Sequence, residues 1–256
     1  MTESNAGVAA AISAAARLTG VSARYLTATA QRESAFDPAA QAETSSASGL
    51  YQFIESTWLS TLERHGEQLG LGEHLGLDRA ETLALRFDPG ISALLAGALT
   101  ADNAEALESR LGRPPSEGEL YAAHVLGAGG ASRLIEAAAE NPAQAADALM
   151  PAAAGANRGL FYDPAGDPVS AAALLERFSS MMTDTIAPSA FPAAFPAAFE
   201  AAAPRVSFSA PPRIDAAPSA LNAGGSWARS TPLHLTPTTI EILAALEPPE
   251  RADDST

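Results

Sequence analysis

The chain of 256 residues contains no cysteine and no lysine; all fifteen of its basic residues are arginine. Without thiols there is neither a disulfide framework nor thiolate chemistry. Without lysine, Schiff-base catalysis and a Ser-Lys dyad are excluded. Positive charge is scarce. The net charge is −15, which speaks against nucleic acid as a partner and against an acidic membrane surface. No run of eighteen apolar residues occurs, so no membrane span is expected. Met1 to Leu18 is alanine-rich, but Ser13 and Arg17 interrupt it, and it has no basic n-region or cleavage site. It does not read as a signal peptide. His65, His74, His124 and His234 have no metal-ligand spacing. Gly127, Gly129 and Gly130 lack the strand, lysine and Ser/Thr of a phosphate loop. No metal and no cofactor are expected.

What the chain does have is helix-forming sequence with clear punctuation. Ser22 is placed to cap a helix carrying Tyr25, Leu26, Thr29 and Ala30 at helical spacing. Asp78 with Glu81, and Ser116 with Glu119, have capping-box spacing. Asp88-Pro89 and Asn141-Pro142 each place a cap before a proline at a first helical position. Gly66 and Gly127 sit where helices should stop. Trp58, Leu62, Leu83, Leu95, Leu99, Leu120, Tyr121 and Val125 supply one buried face per helix. Leu160-Phe161-Tyr162, a turn-like Asp163 to Asp167, and Val169 predict a small β-hairpin. A last helix is expected from about Ser170 to Met182.

Proline is unevenly placed, with eleven of nineteen after Met182. Residues 1–182 therefore read as one mainly α-helical domain and 183–232 as a disordered Pro/Ala-rich linker. There Phe191-Pro192-Ala193-Ala194 is followed by Phe195-Pro196-Ala197-Ala198, which cannot build a core. Residues 233–256 form a tail with a short amphipathic helix at Ile240, Ile242, Leu243 and Leu246. Such a segment is suited to docking on the domain or on a protein partner.

One acid stands out. Glu33 shares the apolar face of the Ser22 helix, where removing a charge from water is costly. Phe36-Asp37-Pro38 should end that helix. Fifteen residues after Glu33, Ser48-Gly49-Leu50-Tyr51-Gln52-Phe53 reads as a glycine turn delivering a glutamine. A buried acid is a candidate proton donor, and glycosidic cleavage needs one at the leaving oxygen. Asp37, Glu43 and Glu55 are the nearby second carboxylates. Each has a structural explanation (a cap, a polar loop, the start of a helix), so none is assigned as a nucleophile.

Glu33-Ser34, Gly49-Leu50-Tyr51-Gln52-Phe53 and Ala123-His124-Val125-Leu126-Gly127-Ala128-Gly129 resemble the three motifs of the soluble lytic transglycosylase (SLT) domain, over roughly residues 5 to 182. In the third motif His124 and Val125 stand where the family usually has tyrosine and asparagine. The resemblance implies a lysozyme-like fold and cleavage of peptidoglycan glycan strands at the cell wall or in the periplasm. It also implies a single glutamate, Glu33, acting as acid and then base. The muramyl residue's own hydroxyl closes an anhydro end, and the substrate's N-acetyl group takes the place of a second carboxylate.

Gly49 would let backbone approach a sugar, and Gln52 can donate and accept toward hydroxyl and acetamido groups or satisfy its own loop. Ser34 and Ser48 are candidates to orient the glutamate or the acetamido group, or to cap. Tyr51 is a candidate to stack on a sugar. By resemblance His124 is a groove contact or packs a helix, and Tyr162 resembles the family's final tyrosine near the acid. A water-using muramidase of the same fold, and a catalytically weak peptidoglycan-binding or assembly protein, remain alternatives. With no signal peptide read, phage, flagellar or secretion-system routes to the wall are all open.

Overall fold

The computed structural model describes residues 3–43 and 45–184. Ten helices occupy most of this span: α1 (Glu3–Thr19), α2 (Ala23–Ser34), α3 (Glu55–His65), α4 (Arg79–Ala84), α5 (Pro89–Leu111), α6 (Glu117–Glu140), α7 (Ala146–Leu149), α8 (Pro151–Ala156), α9 (Arg158–Phe161) and α10 (Ala171–Asp184). Two short 3-10 turns, Gly72–His74 and Leu85–Phe87, flank α4. Among the described residues only isolated β-bridges occur, and no strand. The protein is mainly α, as its sequence implies.

The helix starts follow their caps. The Ser22 hydroxyl accepts from the Tyr25 amide at 3.2 Å, and Asp78 and Ser116 each complete a capping box with Glu81 and Glu119. Asp88 accepts from Ile91 N ahead of Pro89. Each bond satisfies an amide that the first helical turn leaves without an internal partner. Two long helices, α5 and α6, form the centre. α1 packs along α5 and α10 along α6. Ile12, Leu95, Leu107, Leu134, Leu174 and Phe178 are all fully buried, so each helix contributes an apolar stripe to one core. A smaller unit of α3 and α4 is tied by the Trp58 indole, whose N–H donates to the Thr82 carbonyl at 2.8 Å.

Several expectations need correction. α2 ends before Pro38. Ala35 and Phe36 take left-handed φ values of 52° and 67°, and the Ala35 amide returns to the carbonyls of Ala30 and Gln31. Asn141 does not start a helix. It closes α6 through its amide to Ala137 O, and the next helix begins at Ala146. Residues 142–146 are instead pinned to 169–172 by Ala146 N to Val169 O, Ala171 N to Gln144 O, and Ala172 N to Pro142 O.

Gly127 does not stop α6 but breaks it into two legs. Its φ of 71° and ψ of 157° lie in a region open essentially to glycine alone.

The β-hairpin expected at 159–169 is reduced to one antiparallel bridge, Tyr162 to Pro168, closed by Val169 N to Phe161 O and Asp163 N to Asp167 O at 2.9 Å each. It does not lengthen into strands, because Leu160 and Phe161 belong to α9. Arg177 of α10 donates to the carbonyls of Leu160 (2.5 Å) and Tyr162 (3.1 Å). The last helix runs to Asp184, two residues past the expected boundary. The rest of the Pro/Ala-rich linker and the amphipathic tail segment lie outside the described residues. No single helix among the described residues is long and apolar enough to cross a membrane.

Candidate active site

Glu33 sits in the last turn of α2, and its side chain is only 9% exposed. It is there because α2 is buried along Tyr25 to Ala30, and position 33 continues that face. Thr27 and Thr29 tolerate this burial by returning their hydroxyls to the carbonyls of Ala23 (2.7 Å) and Tyr25 (3.0 Å).

Both contacts to the carboxylate come from the first leg of α6, and both meet the same oxygen. The Tyr121 hydroxyl donates to Oε1 at 3.4 Å, and His124 Nε2 lies 3.3 Å from it. The second oxygen, Oε2, has no partner among the described residues. Nor does an arginine among the described residues neutralise Glu33. Arg24 pairs with Glu117, and Arg32 turns its Nε to the Tyr121 hydroxyl at 3.2 Å. Tyr121 and His124 stack, with ring centroids 5.6 Å apart. Burial first, and then the nearby Glu33, push the Tyr121 hydroxyl well above its usual range. It stays a proton-bearing donor wherever Glu33 is ionised.

The 48–53 loop is held as a closed unit beside α2. Ser48 and Phe53 exchange two backbone hydrogen bonds of 3.1 Å. Gly49 has φ +82°, and a Cβ there would lie 2.0 Å from the Arg86 carbonyl oxygen. Glycine is needed on both counts. The Gln52 amide donates to the carbonyls of Gly49 (2.9 Å) and Ala40 (3.2 Å). Its backbone is left-handed at φ 49°. Ser34 donates to the Leu50 carbonyl at 2.8 Å, bolting the acid's helix to the turn. Ser48 is buried, with its hydroxyl 3.5 Å from Ser46 O.

Thr29, Tyr51, Gln52, Thr57, Thr100 and His124 line a narrow cleft of about 20 Å³, together with Phe53 and apolar side chains from α2 and α5. Tyr51 is 2% exposed, and burial pushes its hydroxyl far above the usual range. The Tyr51 and Thr57 hydroxyls are buried without a hydrogen-bond partner among the described residues. Unpaired buried hydroxyls are costly, and both lie on residues that line the cleft. Tyr162 is not brought to this group. Its hydroxyl donates to Asp147 at 3.2 Å and its ring lies under Arg158. The alternative carboxylates are each engaged or outside: Asp37 accepts from Ala39 N, Glu55 pairs with Arg79 at 2.6 Å, and Glu43 is exposed.

Three contributors escaped the sequence reading: Tyr121, Arg32 and Arg86. Tyr121 reads as one more apolar position on α6, although its place three residues before His124 puts the two on one face. Arg86 is 7% exposed and donates to the carbonyls of Ser46 (2.6 Å), Phe53 (3.1 Å) and Leu83 (3.0 Å). Nothing in its local sequence distinguishes it from a surface arginine.

An almost wholly helical body presents a largely buried glutamate at a helix end, beside a glycine-turn loop and a narrow cleft. That is a lysozyme-like domain. Residues 10–146 match the family model of the transglycosylase SLT domain, and the chain belongs to that family. The family is of the lytic-transglycosylase type, and its substrate is the peptidoglycan of the cell wall.

Proposed function

We propose that the protein cleaves the MurNAc–GlcNAc bond of peptidoglycan without consuming water, with Glu33 as the single acid and base. The observation that carries this reading is the state of the Glu33 carboxyl: largely buried, without an arginine partner, one oxygen held and the other free.

Protonated Glu33 gives its proton to the glycosidic oxygen as that bond breaks. The carbonyl oxygen of the substrate's own acetamido group attacks the anomeric carbon and takes up the developing positive charge. Among the described residues no second carboxylate hydrogen-bonds within the Glu33, Tyr121 and His124 group, which fits substrate assistance rather than a protein nucleophile. The muramyl primary hydroxyl then displaces the acetamido oxygen, and its proton returns to Glu33. The product is an anhydro-MurNAc end and a regenerated acid.

The cleft beside the acid has room for one small group of a bound glycan, such as a hydroxyl. It offers hydroxyl and amide groups from Thr29, Tyr51, Gln52, Thr57 and Thr100 among apolar walls, a mixture suited to sugar hydroxyls, acetamido groups and ring faces. We take the active unit to extend beyond the family match to α10, because Leu174 and Phe178 complete the core against α6.

The test is mass spectrometry of soluble products released from purified peptidoglycan by the wild-type protein and by Glu33→Gln. Anhydro-muropeptides from the wild type alone support the reading. Reducing-end products that depend on Glu33 make the protein a muramidase of the same fold. Binding without products from either form makes it a peptidoglycan-binding or assembly protein.

A further inference from the structure

Tyr121 stands two residues before the third motif and three before His124. Tyr121 is 6% exposed and does not line the cleft. Its hydroxyl has two partners of opposite kind. It accepts from Arg32 Nε at 3.2 Å and donates to Glu33 Oε1 at 3.4 Å. Arg32 is the residue immediately before the acid, so the last turn of α2 grips the tyrosine at two consecutive positions. The guanidinium carbon also lies 5.4 Å from the Tyr121 ring centroid. The ring is clamped on its other sides by His124, stacked at 5.6 Å, and by Phe178 of α10 at 6.2 Å.

We infer that Tyr121 is a positioning residue for the acid, with Arg32 acting through it. A hydroxyl proton has a free torsion, and a tyrosine between two carboxylate oxygens or water could point it several ways. Arg32 removes that freedom: its N–H occupies a lone pair of Oη, so the hydroxyl proton is left to point at Glu33. Oε1 is thereby occupied as an acceptor, and His124 Nε2 approaches the same atom. When Glu33 is protonated, the proton resides on Oε2, the oxygen without a protein partner. A transferable proton on a fixed oxygen in a fixed direction is what general acid catalysis requires. The hydrogen bonds of 3.3 and 3.4 Å are long, as such bonds are before substrate closes the site.

This inference rests on Glu33 being the acid, and the test separates the two. Release from soluble glycan oligomers is measured with the full chain for the wild type, Glu33→Gln, Tyr121→Phe, Arg32→Met and the Tyr121→Phe/Arg32→Met double variant. Tyr121→Phe keeps the ring packing and deletes only the hydroxyl. Its kcat falls about tenfold to a hundredfold, with KM within about twofold, because the hydroxyl touches the acid and not the substrate. Arg32→Met gives a smaller loss of kcat. The double variant is about as slow as Tyr121→Phe alone, because the hydrogen bond from Arg32 reaches the acid through the hydroxyl that Tyr121→Phe removes.

Wild-type kcat in a folded Tyr121→Phe variant overturns the inference while leaving the role of Glu33 intact. So do multiplicative losses in the double variant. A Glu33→Gln variant that still cleaves removes both. Should Tyr121→Phe fail to fold, as judged by circular dichroism, Arg32→Met decides. Its side chain is exposed, and an unchanged kcat in that variant also overturns the inference.

Discussion

His124 and Glu33 are 91 residues apart in the chain and their side chains meet, Nε2 to Oε1, at 3.3 Å. The contact joins the C-terminal turn of α2 to the first leg of α6, just before Gly127 breaks that helix. The break matters. A straight α6 would carry its second leg onward in the direction of the first, whereas the glycine redirects residues 128–140 and leaves His124 close to the end of a leg, at the cleft.

Where the family usually has a tyrosine, this chain places an imidazole against the acid. With its proton on Nε2 the ring donates to Oε1. His124→Leu removes that donor and fills part of the space, and its rate of muropeptide release should fall about tenfold. His124→Gln restores a donor and should recover most of the rate. Equal rates for the leucine and glutamine variants would show that the contact carries no weight in turnover.

The loop beside the acid depends on backbone contacts that the side chain of Arg86 gathers. Arg86→Met leaves the carbonyls of Ser46, Phe53 and Leu83 without that donor. The loss should be about 3 kcal/mol, or a fall in Tm of roughly 6–12 °C for a domain of this size. Gly49→Ala drives a methyl group into the Arg86 carbonyl and forces a positive φ on alanine, with a cost of about 2–4 kcal/mol. Urea unfolding of the two variants checks both figures. A wild-type midpoint for Gly49→Ala would mean that the loop is free to move away from Arg86.

Glu119 links stability to pH. The Arg113 guanidinium, at 2.6 Å, holds its carboxyl below the usual value of 4.5, against the opposing effect of burial, and the Ser116 amide adds to the lowering. A carboxyl whose folded value is depressed stabilises the fold above its unfolded value and loses that contribution as pH falls through the folded one. Glu119→Gln should therefore be less stable than the wild type at pH 7, by about 1 kcal/mol given the exposed arginine. The difference should shrink as pH drops below 4.5. Thermal unfolding across that range decides; a gap that stays constant with pH would assign the effect to packing instead.

Much of the helical punctuation is local chemistry and was legible as such. Ser22, Asp78, Asp88 and Ser116 cap helices because each side chain reaches the amide three residues on. Glu33 on the inner face of α2, the glycine turn at Gly49 and the mainly α class follow from spacing and residue type over a few turns. Membership of the transglycosylase SLT family was legible from the same short motifs.

The failures have separate causes. Asn141-Pro142 carries a valid local signal, but residues 169–172 claim the backbone of 142–146. The 159–169 segment makes its turn and one bridge, but Leu160 and Phe161 are drawn into α9, so no strand grows from it. At the site the same division holds. Sequence alone placed Glu33 on the inner face of α2, because burial of a helix face is a periodic property of neighbouring residues. Only the tertiary structure decided that Tyr121 and His124 converge on Oε1, that Arg32 serves the tyrosine rather than the acid, and that Tyr162 stays with Asp147. Those choices depend on how α2, α6 and α10 cross, and packing between residues some ninety positions apart leaves no periodic mark in the chain.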